Sequence, residues 1–213
     1  MTAILDRLTT RWPDHVIGHQ RFRSQDTLLI KCEGLLDVCR FVKTDPEVAC
    51  DFLMDLSAVD YLKFGRTQAS RPMMATPSPL PYYMTSKRVA ETWERGVSND
   101  DYRFDVVYHF FSSRHQHRVR LRVPLTSTDP AVPTLTGLWK AANWFEREVW
   151  DMFGITFTDH PDLRRILMYE PFEGYPLRKD YPIHKRQPLV GPTGDADNPT
   201  PHGAGAPSRT NRQ

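Results

Sequence analysis

Nine of the chain's 18 prolines fall after Asp159, directly behind the most regular apolar pattern in the sequence. A helix followed by a segment that can continue neither as helix nor as sheet constrains this fold more than any other feature. At about 100° per residue, Leu138, Ala141, Ala142, Phe145, Val149, Met152 and Phe153 share one arc, with Lys140, Arg147 and Asp151 opposite. The spacing predicts a core-facing helix. Thr134 or Thr136 can supply its N-cap hydroxyl, and Gly154 stands where a C-terminal glycine tolerates positive φ. Glu148 is expected at the edge of the apolar arc, where a carboxylate must stay hydrated or meet a cation; Arg164 and Arg165 are the candidates. Behind the helix, His160-Pro161, Glu170-Pro171, Tyr175-Pro176 and Tyr181-Pro182 each bias the residue before proline away from αR. They predict an extended, turning strap with at most a short turn of helix around Asp162 to Leu167. Extended backbone of this kind needs water or another chain to satisfy its N–H and C=O groups, so the strap reads as a docking element.

Upstream, Ile4, Leu5 and Leu8 predict a short amphipathic helix closed by Pro13. Thr27 to Cys32 reads as a strand, Leu35 to Val42 as a helix stopped by Asp45-Pro46, and Phe52 to Val59 as a strand. The clearest β signal follows. Phe104, Val106, Tyr108 and Phe110 alternate onto one face, as do Val119, Leu121 and Val123, with the polar SSRHQ connection between them, which predicts a hairpin. The other face of its second strand carries Arg118, Arg120 and Arg122, read as a solvated or partner-facing sheet surface. The expected architecture is α+β: a small, mostly antiparallel sheet with helices packed on one side, followed by the extended, proline-punctuated C-terminal strap. In numbers, residues 1–158 form the core domain, with a long insertion loop over 62–101, residues 159–186 the strap, and residues 187–213 a Gly-, Pro- and Thr-rich tail expected to be disordered.

Charge and motif exclude several function classes. Twenty-eight basic against 26 acidic side chains leave no basic excess for a nucleic-acid partner. No run approaches the roughly 18 apolar residues of a membrane span, and MTAILDRLTTRWPDHV lacks the apolar core of a signal peptide, so a reducing, cytoplasmic setting is expected. Cys32, Cys39 and Cys50, at spacings of seven and eleven, match neither a C-x-x-C pair nor a cluster-ligating run. Asp159, His160 and Asp162 offer ligand atoms but no helical spacing that aims two imidazoles at one ion, so no metal site is expected. Glu146, Glu148 and Asp151, interleaved with Arg147, read as an ion-pair network rather than acid/base catalysts. Nucleotide-binding glycine loops and a nucleophile elbow are missing too, so no catalytic residue, cofactor or metal is assigned to this chain.

The runs NWFEREVWDMFGI (Asn143 to Ile155), HPDLRRILM (His160 to Met168) and FEGYPLRKDYP (Phe172 to Pro182) closely resemble the signature of the 30-kilodalton subunit family of NADH-quinone oxidoreductase, respiratory complex I. A weaker likeness runs through DFLMDLSAVDY (Asp51 to Tyr61), RFDVVYHFFS (Arg103 to Ser112) and HRVRLRVPL (His117 to Leu125), but not through the segment from about Leu62 to Asp101. Complex I passes electrons from NADH through FMN and iron–sulfur clusters to quinone, coupled to proton translocation. The resemblance implies a cofactor-free structural subunit of the peripheral arm, with FMN and the clusters on partner subunits. Its expected partners are other complex I subunits, chiefly the large quinone-pocket subunit and neighbouring peripheral-arm subunits. The membrane is reached only through the complex, on the cytoplasmic side of a bacterial inner membrane. On the same resemblance Glu146, Arg147, Glu148, Asp151, Arg164, Arg165, Arg178, Lys179 and Asp180 are the signature charges, expected to serve fold closure and subunit docking. The nearest alternative is the similar subunit of a membrane-bound hydrogenase or formate hydrogenlyase.

Overall fold

The computed structural model describes residues 2–22, 25–62 and 102–188. The elements run α1 (Thr2–Arg11), β1 (Val16–Phe22), β2 (Gln25–Ile30), a 3₁₀ turn (Cys32–Gly34), α2 (Leu35–Thr44), β3 (Phe52–Asp60), β4 (Tyr102–Ser112), β5 (His117–Thr126), β6 (Ala131–Pro133), α3 (Ala142–Phe153) and β7 (Thr156–Thr158). The expected insertion lies outside the described residues beyond Leu62, as does the expected tail beyond Pro188.

Five strands form one mixed sheet in the order β1-β2-β5-β4-β3, and β6 and β7 form a second, two-stranded parallel sheet. In the large sheet only β2 and β5 run parallel; the other three neighbour pairs are antiparallel. β1, β6 and β7 carry no legible signal in the sequence. Val16–Phe22 (VIGHQRF) carries little apolar alternation. Ala131–Pro133, where Asp129-Pro130 and Val132-Pro133 predict only a linker, and Thr156–Thr158 are each three residues long, too short for a period.

The β4–β5 hairpin matches its expectation. Ser112 pairs with His117, Val106 with Val123 and Tyr108 with Leu121. Phe104, Val106, Tyr108, Phe110, Leu121 and Val123 are buried on the face where Leu35, Val38, Cys39 and Val42 of α2 enter the same core. These α2 positions fall at i, i+3, i+4 and i+7, which is one helical stripe. Trp139 lies against Phe110 with ring centroids 4.7 Å apart, and α3 packs on β3. On the opposite sheet face, expected to be solvated or partner-facing, the three arginines differ in burial. Arg118 is exposed and Arg120 is half-buried, its Nε donating to Thr27 Oγ1 at 2.7 Å. Arg122 is buried, paired to the fully buried Asp105 and donating to Tyr61 Oη at 2.6 Å. A carboxylate on the neighbouring strand draws that arginine in, because a buried charge needs a hydrogen-bonded counter-charge.

The helix before the strap is shorter than its sequence pattern. Residues 136–141 form turns, α3 starts at Ala142, and its N-cap Ala141 makes no side-chain cap. Thr134, a candidate for that cap, instead bonds Glu146. Gly154 closes the helix as expected, at φ +70°, with its N–H on the Trp150 carbonyl. A Cβ there would sit 2.5 Å from Tyr175 Cζ and 2.7 Å from Arg178 Nη2, so both conformation and space require glycine. The strap holds no helical turn between Asp162 and Leu167; Asp162 N–H donates to His160 Nδ1, and Asp162 pairs with Arg164 at 3.0 Å.

Candidate functional site

The strap's backbone has no sheet or helix of its own, and three side chains of the body, Asp151, Arg147 and Asp60, take up much of its hydrogen bonding. Asp151, fully buried, receives the N–H groups of Ile166 (3.1 Å), Leu167 (2.8 Å) and Met168 (2.9 Å) on Oδ2, and Arg165 Nη1 at 2.6 Å on Oδ1. Burial alone raises its pKa, but those three amides and the guanidinium favour the ionised form more strongly, so the carboxyl stays below the usual range. Arg165 also donates to the carbonyls of Phe172 (3.1 Å) and Gly174 (3.2 Å) and lies over the rings of Trp150, Phe172 and Tyr175. Arg147, buried on α3, reaches the carbonyls of Arg164 at 3.2 Å and Arg165 at 3.4 Å.

Arg178 of the strap donates to the last carbonyls of α3, Phe153 and, at 3.3 Å, Gly154. It brings positive charge to the negative end of the helix dipole, where the helix carries no basic residue of its own. Farther on, Lys179 contributes its backbone N–H to Asp60 Oδ2 at 2.8 Å, while its side chain is exposed. Asp180 pairs with Arg103 Nη2 at 2.7 Å, and Arg103 in turn grips the buried Asp60 at 2.9 Å. A register irregularity between Tyr102 and Phe104 turns Arg103 out of the regular strand alternation. Asp60 and Arg103 were not singled out from sequence, although both lie in the stretches that carry the weaker likeness.

Two expectations about α3 are reversed. Glu148 is exposed and Arg165 pairs with Asp151 instead, whereas Glu146 is fully buried. The predicted arc included Leu138 and Ala141, which precede the helix; without them it recentres toward Glu146, by about 12° at 100° per residue. Arg147 and Asp151 fall on the side predicted to be polar, but both are buried because the strap folds back over it.

Glu146 Oε1 accepts the Leu135 N–H at 2.7 Å and Oε2 the Thr134 hydroxyl at 2.5 Å. Burial pushes its carboxyl up to about 7 against the opposing effect of these two hydrogen bonds. His160 Nε2 lies 3.3 Å from the Asn143 carbonyl and 3.8 Å from Glu146 Oε2. On the outside, Trp144 of α3 and Leu167, Tyr169, Leu177 and Ile183 of the strap are exposed, Trp144 to 63% and Ile183 to 92%.

Residues 28–187 match the family model described as respiratory-chain NADH dehydrogenase, 30 Kd subunit. The chain belongs to this family. An NADH-quinone oxidoreductase subunit of Roseiflexus sp. (strain RS-1) is 39% identical over 181 residues, 85% of this chain and 83% of that protein. Its counterpart from Rhizobium meliloti (strain 1021), also named as a subunit of NADH-quinone oxidoreductase, is 38% identical over 169 residues, 79% of this chain and 72% of that protein. Among solved structures, a trypsin-resistant fragment of Nqo5 is 26% identical, with a TM-score of 0.52 over 76% of this chain and 100% of its own. The membrane-bound sulfane sulfur reductase structure, an archaeal respiratory membrane complex, shares the fold at 16% identity and a TM-score of 0.58, covering 86% of each chain. This 30 Kd subunit fold thus carries its family match through β2, the hairpin, α3 and the strap together. No helix among the described residues is long and apolar enough to cross a membrane.

Proposed function

We propose that this chain is a cofactor-free scaffold subunit of the peripheral arm of NADH-quinone oxidoreductase, docked through its strap and the outer face of α3 against the large quinone-pocket subunit. The observation that carries the reading is the two-sided strap. Its backbone groups turn inward onto Asp151, Arg147 and Asp60, while Leu167, Leu177 and Ile183 of the strap and Trp144 of α3 are exposed. A run of exposed apolar side chains on a pinned backbone is what an obligate partner surface needs.

The absence of a cofactor on the chain is part of the same reading, supported by its thiols. Burial pushes Cys39 far up and Cys50 up to about 12, and Cys32 donates to the Ala131 carbonyl at 3.4 Å. Cluster ligation needs thiolates converging on one point. FMN and iron–sulfur clusters then belong to partner subunits, and the membrane is approached only through the complex, on its cytoplasmic side. Identity of 38 to 39% to proteins named for NADH-quinone oxidoreductase favours that enzyme over a hydrogenase or formate hydrogenlyase.

The test is a pull-down on tagged chain from detergent-solubilised membranes, with NADH-to-quinone activity assayed on the eluate. The quinone-pocket subunit and the flavin- and cluster-bearing chains are expected with the wild type. The triple substitution Leu167→Ser, Leu177→Ser, Ile183→Ser is expected to lower their recovery about tenfold or more, the effect of losing interface anchors. Undiminished recovery places the interface elsewhere, and recovery of a lone protein overturns the reading.

A further inference from the structure

Of the two buried acids on α3, Glu146 is the less neutralised. Its carboxylate is fully buried, receives only one amide and one hydroxyl, and has no guanidinium or ammonium among its partners in the described residues. Arg147, next to it on α3, is turned away onto the strap carbonyls. The nearest basic group is the imidazole of His160, also fully enclosed, 3.8 Å away at the root of the strap. His160 Nδ1 accepts the Asp162 N–H at 3.1 Å, which fixes the proton of the neutral ring on Nε2, facing both the Asn143 carbonyl and Glu146.

We propose that Glu146 and His160 form a protonation-dependent clasp that sets how firmly the root of the strap is seated against the N-terminal half of α3. A single proton from solvent has two places to go. On Glu146 it removes an uncompensated buried charge and leaves every bond of His160 intact. On His160 it goes to Nδ1, the only free ring nitrogen, and the Asp162 N–H then loses its acceptor. The carboxyl is therefore the first proton acceptor, in keeping with its upward displacement to about 7 and the downward displacement of His160 by burial. The clasp is closed with both groups neutral. On the alkaline side ionised Glu146 is a buried charge without a counter-ion, and its demand for solvation opens the site; on the acid side His160 takes a second proton and releases Asp162.

The groups facing this pair come from every element around it. Thr134 and Thr136 lie on the loop before α3, with Thr136 bonded to Thr134 at 3.0 Å. Tyr108 of β4, a buried phenol without a hydrogen-bond partner among the described residues, feels the Glu146 charge. Arg147 on α3 opposes protonation of His160, and Asp162 on the strap favours it. None is a fixed cation bonded to the Glu146 carboxylate. Because the proposed docking surface runs along the strap, the clasp makes the seating of that surface pH-sensitive. That last step rests on the docking reading; the titration itself does not.

The test is an NMR titration of the full chain, labelled with ¹³C at glutamate carboxyls and ¹⁵N at backbone amides, from pH 5 to 9. One carboxyl is expected to titrate near pH 7, and the Asp162 and Leu135 amides to shift with the same midpoint. Both changes vanish in Glu146→Gln, which keeps the size and an acceptor oxygen but stays neutral. Should that variant not fold, Thr134→Val removes a donor to the ionised form and moves the midpoint upward. No glutamate titrating above pH 6, amide shifts that survive Glu146→Gln, or a midpoint unmoved by Thr134→Val each overturns the clasp. These outcomes are independent of whether any partner subunit binds.

Discussion

Asp151 gathers three strap amides and one guanidinium onto a single buried carboxylate, so its loss opens several polar groups at once. Asp151→Ala is expected to cost about 3–5 kcal/mol in urea unfolding, the usual consequence of breaking a buried pair and leaving its partner uncompensated. Its pH dependence has a definite sign. The folded carboxyl is held below its ordinary value, so its stabilisation is present above the unfolded pKa and is lost as pH falls through the folded one. The unfolding free energy of Asp151→Asn is accordingly expected to fall less than that of the wild type as pH is lowered from neutral into the acid range. Glu146 has the opposite sign. With its folded value raised to about 7, its contribution is complete below the unfolded pKa and fades as pH rises through 7. Glu146→Ala is expected to destabilise by about 1–3 kcal/mol through the unpartnered Leu135 N–H and Thr134 hydroxyl. The exposed Glu148→Ala is expected to stay within about 0.5 kcal/mol, and thermal melts of the two variants decide the order.

At the level of elements, α3 is covered on two sides. Val149, Met152 and Phe153 face the core, and Arg147 and Asp151 face the strap. That explains why a helix of only 12 residues, with no side-chain N-cap, can anchor an otherwise irregular segment. Its C-terminus is the tightest junction. Gly154→Ala combines a positive-φ penalty with overlap against Tyr175 and Arg178, so a loss larger than the ordinary ~1 kcal/mol of a misplaced Ala is expected. Hydrogen exchange locates the damage: protection should fall first at Leu177, whose N–H bonds the Met152 carbonyl at 3.1 Å, and at Arg178. Unchanged protection there separates the strap from the cap.

For the whole molecule, the strap is tied at both ends of its course. Asp151 holds the near part, and the Asp60–Arg103–Asp180 cluster fixes the far part to the ends of β3 and β4. Gln187 extends the attachment, its Nε2 donating to the Glu173 carbonyl at 3.0 Å and its Oε1 accepting the Glu173 N–H at 2.9 Å. Truncation after Asp159 uncovers Asp151 and Arg147 and is expected to lower the melting temperature by several degrees, as a few kcal/mol does in a chain of this size.

Much of the fold was legible because its signals are local. The alternation of Phe104, Val106, Tyr108 and Phe110, the i, i+3, i+4, i+7 stripe of α2 and the glycine behind Phe153 each report their own element through its geometry. The sequence by itself determined the α+β class, the hairpin, the helix with its stop at Gly154, and the irregular, proline-punctuated nature of the strap. Only the tertiary structure decided the parallel junction of β2 with β5, the burial of Arg122 and Glu146, and the partners of Asp151, Arg165 and Asp180. Periodicity shows which side of an element is apolar. It cannot show that a distant, aperiodic segment returns to cover the polar side, because that choice is made by hydrogen bonds between residues far apart in the chain.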